Sequence, residues 1–232
     1  AQGGRIALVP TMGALHDGHM SLVELARQQD AHVIVSIFVN PMQFGPNEDF
    51  DAYPRMAEAD AARLAEGGVD TLWMPGVGDM YPDGFVTSVS VATLGDGLCG
   101  AARPGHFDGV ATVVSKLFNQ VRPDFAIFGE KDWQQLAILR QLNRDLDFGI
   151  EIIGAPIRRD GDGLALSSRN AYLSVDERAK AVALPEALKQ AATAIQGGAD
   201  VDQSLDAARA ALAAAGFGPI DYVTLVDAQS LE

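Results

Sequence analysis

Five short apolar runs constrain this chain more than any other feature: Ile6 to Val9, His32 to Val39, Thr71 to Met74, Phe125 to Phe128 and Ile150 to Ile153. They are continuous rather than alternating, which is the pattern of strands covered on both faces. Segments of helical periodicity separate them, as in a parallel sheet wrapped by helices. After the first run, Leu22, Val23, Leu25 and Ala26 form an apolar stripe, so a helix is expected from Gly18 or His19 to about Asp30. The Gly-rich stretch Asp96 to Asp108 reads as a loop, followed by a helix over Ala111 to Gln120.

The character changes after Pro156. A polar hinge, Arg158 to Ser168, leads to Ala-rich helices over Val175 to Ile195 and Asp202 to Ala215, parted by Gly197-Gly198, and to a last strand over Ile220 to Val226. The expected architecture is α/β: a Rossmann-like doubly wound parallel sheet in residues 1–157 and a smaller α+β domain in 158–232.

With 232 residues, 48% of them hydrophobic, the chain can fill a sizeable core. A net charge of -14 opposes non-specific binding to nucleic acid or anionic membrane. No apolar stretch approaches the roughly 20 residues of a membrane span. Ala1 to Arg5 lack the apolar core of a signal peptide, and the lone Cys99 cannot form an internal disulfide, so a cytoplasmic protein is expected. Against this acidic background, basic residues set inside motifs stand out.

The first such motif is Pro10-Thr11-Met12-Gly13-Ala14-Leu15-His16-Asp17-Gly18-His19, between the first strand and its helix. Ligands of open parallel sheets bind where strands end and helix N-termini present free N–H groups to phosphate. His16 and His19 by themselves read as turn or capping residues; in this context they read as added donors. The second is Asn40-Pro41-Met42-Gln43-Phe44, after the second run, where the Gln43 amide can donate to one oxygen and accept from a hydroxyl, which suits a hydroxy acid if the segment is more than an Asn-Pro turn. The third is Gly129-Glu130-Lys131-Asp132-Trp133-Gln134-Gln135, whose lysine would face the same crevice unless it simply pairs with Glu130 or Asp132. The fourth is Gly163 to Asn170, containing Leu166-Ser167-Ser168-Arg169, hydroxyls and a guanidinium able to follow phosphate charge from a mobile loop. Arg103 and His106 are further candidates to cap the site.

His16-Asp17-Gly18-His19 resembles the H-x-G-H signature of nucleotidyltransferases and class I aminoacyl-tRNA synthetases. Together with the flanking Pro10 to Leu15 and the other three motifs, in order from Val9 to about Asp227, the chain resembles the pantothenate synthetase family. That resemblance implies an ATP-dependent ligase joining pantoate to β-alanine through a pantoyl adenylate. It implies Met12, Gly13, His16, Gly18, His19, Gly129, Lys131, Asp132, Leu166, Ser167, Ser168 and Arg169 as ATP contacts, with both histidines, Lys131, Ser167, Ser168 and Arg169 catalytic. Gln43 and Gln135, with Asn40 and Met42, would line the pantoate and β-alanine pocket. Mg²⁺ would arrive with ATP, with Asp60 or Asp132 as a candidate protein ligand; no tightly bound organic cofactor is implied, and the assembly would be a homodimer.

Departures from the family pattern are Trp133 where Tyr is more usual, Arg158 where an apolar nucleotide contact is common, and a chain shorter than the family at both ends, as a trimmed protein would be. Two other readings compete: a different adenylyl- or cytidylyltransferase with a phosphorylated acceptor, and a nucleotide-binding module without turnover. The amides at Gln43 and Gln135 weigh against the first, and the intact His19, Lys131 and Ser168 against the second.

Overall fold

The computed structural model describes residues 4–46 and 48–232; the N-terminal expectation for residues 1–3 lies outside the described residues. The chain divides into two compact units, Ala1–Ile157 and Arg158–Glu232. In the first unit the order is β1 (Ile6–Thr11), α1 (Asp17–Arg27), β2 (His32–Ile37), α2 (Ala57–Glu66), β3 (Thr71–Trp73), α3 (Val77–Met80), α4 (Cys99–Ala102), α5 (His106–Val121), β4 (Phe125–Gly129), α6 (Trp133–Asp145) and β5 (Glu151–Ala155). The strands form one five-stranded parallel sheet in the order β3-β2-β1-β4-β5. β1 pairs with β2 from Ile6↔His32 to Thr11↔Ile37, and with β4 at Ala7↔Phe125 and Leu8↔Ala126. The order reverses at the β1–β4 pair, the point where a doubly wound sheet opens a ligand crevice beyond its strand ends.

The strand period of two sorts side chains to opposite faces. Leu8, Ala126 and Phe128 pack with Val110, Val114, Leu117, Leu136 and Leu139 of α5 and α6. Ala7, Val9, Phe125 and Ile127 pack instead with Val23 and Ala26 of α1 and Leu64 of α2. Each strand is thus apolar on both sides, which explains why its residues run without polar alternation. α5 begins at His106, inside the expected loop. The apolar stripe reaches back to Phe107, and Gly105, at φ 82°, supplies the turn that precedes it.

The second unit carries α7 (Val175–Ala181), α8 (Ala183–Gln196) and α9 (Val201–Ala214). The single helix expected over Val175 to Ile195 breaks at Val182. Pro185 has no N–H to continue the ladder, and its ring crowds the carbonyl four residues back. The strand expected over Ile220 to Val226 is absent: that segment is irregular. Val223 and Ile220 pack instead against Ala187, Ala191, Leu205, Ala208 and Leu212 of α8 and α9, and the Val223 carbonyl accepts a hydrogen bond from Arg209. With no neighbouring strand to pair with among the described residues, the segment docks on a helical hairpin.

Candidate active site

The loop from β1 to α1 is held tightly. Gly13 has φ 85°, and a Cβ there would lie 3.0 Å from Asp60 Oδ2 and 3.1 Å from Ile37 Cγ2, so glycine is required on both counts. Ala14 also adopts a positive φ, 50°, which an L-residue avoids unless its surroundings impose it. The imposing group is Asp60 of α2, 3% exposed, whose Oδ2 accepts from Ala14 N and Oδ1 from Leu15 N, both at 2.8 Å. One turn along the same helix, Arg63 donates to Leu15 O at 3.2 Å and pairs with Asp17. Helix α2 therefore grips the loop from both its donor and its acceptor side.

His16 is the N-cap of α1. Its Nδ1 accepts from Gly18 N at 3.1 Å, while His19 Nδ1 accepts from His16 N at 3.3 Å, a capping box built from two imidazoles whose centroids are 4.1 Å apart. A backbone N–H can only donate, so both Nδ1 atoms use lone pairs and each neutral ring carries its proton on Nε2. Burial pushes the His19 pKa down to about 3, aided by the neighbouring His16 imidazole and the positive fields of Lys131 and Arg63. His19 is accordingly a neutral N–H donor at physiological pH. The capping and ligand-binding readings of the motif are compatible, since capping uses Nδ1 and the proton of a neutral ring sits on the other nitrogen, Nε2.

Parallel pairing of β1 with β4 brings Gly129 to the same sheet end, and the turn Glu130–Asp132 carries Lys131. Lys131 Nζ lies 3.2 Å from Asp132 Oδ1, with both side chains substantially exposed, and its field is felt at His19. At the head of α6 the two glutamines part company. Gln134 is buried, taking the Cys99 N–H at 3.0 Å and donating to Leu94 O and Gly97 O, each at 2.9 Å. Gln135 is half-buried and its amide makes no hydrogen bond among the described residues, leaving it open to a ligand.

After β2, Asn40 caps the 3-10 turn Pro41–Gln43. Gln43 is 9% exposed rather than displayed on the surface, and Asn40, 1% exposed, donates to Gln43 Oε1 at 2.9 Å. The Asn40 amide is fully occupied: Nδ2 also donates to Gly109 O at 3.0 Å, and Oδ1 accepts from Met42 N at 3.2 Å and Tyr81 Oη at 2.8 Å. Asn40 therefore holds Gln43 in place, with its own amide donors and acceptors taken up within and around the turn. Met42 is partly exposed. Arg103 and His106, expected as caps over the site, serve the same turn. Arg103 forks Glu48 at 2.9 and 2.5 Å, and His106 Nδ1 donates to Gln43 O at 2.8 Å while its Nε2 accepts from Arg103 at 3.1 Å.

In the second unit, Ser167 caps the turn Ser168–Tyr172, its Oγ accepting from Arg169 N at 3.3 Å. The preceding residues form a bonded hairpin rather than a free hinge. Arg159 bridges Ala165 antiparallel, Leu166 N donates to Arg158 O at 3.0 Å, and Asn170 Nδ2 donates to Ala165 O at 3.0 Å. Arg178 of α7 reaches Asp160 and Asp162, each at 2.8 Å.

For a cation the protein has little to offer. No three His, Cys, Asp or Glu side chains converge among the described residues, so a magnesium ion would depend on phosphate oxygens for most of its ligands. Of the two candidate carboxylates, Asp60 accepts the Ala14 and Leu15 amides, and Asp132 is the exposed carboxylate beside Lys131. Sequence reasoning passed over the clamping role of Asp60 and Arg63. Its trace was there: a carboxylate four residues before Leu64, on the apolar stripe of α2.

No helix among the described residues is long and apolar enough to cross a membrane. The family profile described as Pantoate-beta-alanine ligase matches residues 1–232. The chain is 68% identical over its whole length to a protein named pantothenate synthetase from Sphingopyxis alaskensis, covering 83% of it. It superposes on the crystal structure of pantothenate synthetase from Thermus thermophilus with a TM-score of 0.95 at 49% identity, covering 100% of this chain and 84% of that one. A pantoate-beta-alanine ligase from Francisella tularensis, described as complexed with beta-gamma ATP and beta-alanine, matches at 38% identity and a TM-score of 0.81, over 91% of this chain and 79% of that one.

Proposed function

Because the chain belongs to the pantoate-beta-alanine ligase family, we propose that it condenses pantoate with β-alanine in two steps within one site, through a pantoyl adenylate. In the first step a pantoate carboxylate oxygen attacks the α-phosphorus of Mg-ATP. The bond to the bridging oxygen breaks and pyrophosphate leaves. In the second step the amine of β-alanine attacks the acyl carbon, the acyl–oxygen bond to AMP breaks, and the amine loses its proton as the amide forms. AMP and pantothenate are the products.

The observation that carries this reading is the pair of imidazoles in the capping box, whose Nδ1 lone pairs accept backbone N–H groups, so that in each neutral ring the proton sits on Nε2. Negative charge builds on phosphate oxygens as the leaving group departs. Fixed neutral donors at the start of α1, with the Lys131 cation nearby, meet that charge without reorganising. A neutral His19 also avoids holding a third positive charge beside Lys131 and Arg63 when no nucleotide is bound. Met12, Gly13, Gly18, Gly129 and Asp132 are assigned to ATP as neighbours of these groups. Gln43 and Gln135 orient the acid, which makes the reaction effectively intramolecular. Ser167, Ser168, Arg169 and Leu166 are assigned to ATP on the strength of the family resemblance alone. The homodimer rests on the same resemblance, and sedimentation of the purified protein tests it.

Pyrophosphate–ATP exchange, run with Mg²⁺ and without β-alanine, tests the adenylate. Exchange that appears with pantoate and not with other small hydroxy acids is the expected result. Exchange independent of pantoate, or none in a folded protein that binds ATP, would overturn the two-step reading.

A further inference from the structure

Tyr81, just after α3, belongs to none of the sequence motifs, and Gly109 lies in the first turn of α5; both nevertheless meet Asn40. The Met42 backbone N–H can only donate, so the Asn40 atom it meets is the oxygen. The Gly109 carbonyl can only accept, so the atom facing it is the nitrogen. These two backbone groups, from opposite sides, orient the Asn40 amide in one way. The Tyr81 hydroxyl fills the last acceptor site on the oxygen, and the last proton on nitrogen goes to Gln43 Oε1. Gln43 thus turns its oxygen inward and leaves its NH₂ group to donate. Burial pushes the Tyr81 phenol up to about 12, which keeps it a donor throughout the working pH range. The seat itself depends on Gly109: a Cβ there would lie 2.2 Å from Met42 O and 2.8 Å from Gln43 N, inside the backbone of the turn.

We infer that Tyr81 and Gly109 are positioning residues that act through Asn40 to present the Gln43 NH₂ group to the acid substrate, so that this part of the pocket selects an acceptor oxygen. This rests on the assignment of Gln43 to pantoate. A substrate analogue with an ammonium group at that place would face donors with donors, and a buried site rejects such a mismatch strongly.

The test is the KM for pantoate in pyrophosphate–ATP exchange, measured for Gln43→Ala, Tyr81→Phe, Gly109→Ala and the double variant Q43A/Y81F. Gln43→Ala is expected to raise that KM roughly tenfold or more, with the KM for ATP changed less than about twofold. Tyr81→Phe, which removes one oxygen atom and leaves the ring in place, is expected to raise it roughly three- to tenfold, and Gly109→Ala by more. In the Gln43→Ala background, Tyr81→Phe should add less than about twofold, because its effect passes through the missing amide. An unchanged KM in Gln43→Ala would overturn the assignment of Gln43 and the inference together. A raised KM in Gln43→Ala with no change in Tyr81→Phe and Gly109→Ala would overturn the inference alone, as would a Tyr81→Phe effect of equal size in both backgrounds.

Discussion

Asp60 Oδ1 accepts the Leu15 amide at 2.8 Å across 45 residues of sequence, and with Oδ2 on Ala14 N it closes a two-pronged clamp on the loop that leads into the histidines. Replacing Asp60 by Asn removes one acceptor and leaves a loop amide unpaired next to a residue at positive φ. Stability should fall by about 1–3 kcal/mol, read by urea denaturation. Pantoate-dependent exchange should fall with it and should not recover at raised Mg²⁺; recovery would return Asp60 to the role of metal ligand.

Lys131 makes the opposite kind of contribution. Its ammonium is partly exposed and pairs only with the neighbouring Asp132 among the described residues, so Lys131→Ala should change stability by less than about 0.5 kcal/mol. Adenylate formation should nonetheless fall by roughly 100-fold or more, because a positioned cation is lost where charge develops. Near-normal exchange in this variant would remove Lys131 from the catalytic group.

His19 makes stability depend on pH. Its folded pKa, about 3, lies below the ordinary 6.5, so as pH falls the unfolded chain takes up the proton first. Stability from this residue is fully present above pH 6.5, is lost progressively as pH falls towards 3, and changes no further below that. Between pH 6.5 and 5, wild type should lose on the order of 1–2 kcal/mol more than His19→Gln, measured by urea unfolding of both proteins at both pH values. Equal losses would mean that the His19 ring is solvated enough to titrate normally.

Arg103 anchors the glutamine turn from outside. Its fork on Glu48 holds that carboxyl below the usual carboxylate range, an effect present above the ordinary pKa of 4.5 and lost as pH falls through the lower folded value. Arg103→Ala should cost about 1 kcal/mol for this half-buried pair and should raise the KM for pantoate more than the KM for ATP, since Arg103 also donates to His106 and to the Gln43 carbonyl. Arg103→Lys, which keeps the charge and loses the fork, should recover only part of either. An equal rise in both KM values would indicate a general loosening instead of a local one.

What the sequence by itself determined was whatever depends on local pattern. Continuous apolar runs such as Phe125 to Phe128 marked strands buried on both faces, and the Gly-rich turns after them marked where a ligand would lie. The order of motifs, from His16 and His19 to Ser167, Ser168 and Arg169, led to the family. Errors came where neighbours distant in sequence decide the outcome. Ile220 to Val226 has the composition of a strand, but it meets a helical hairpin and no strand edge, so it stays irregular. Asp60 read only as a candidate metal ligand beside Asp132, because a sequence does not show which amides a carboxylate meets in the fold. Only the tertiary structure put the Ala14 and Leu15 amides against it, made Asn40 a hub for Tyr81, Gly109 and Gln43, and separated the buried Gln134 from the available Gln135. Hydrophobic periodicity is written along the chain, whereas the pairing of a polar group depends on what folding brings within about 3 Å of it.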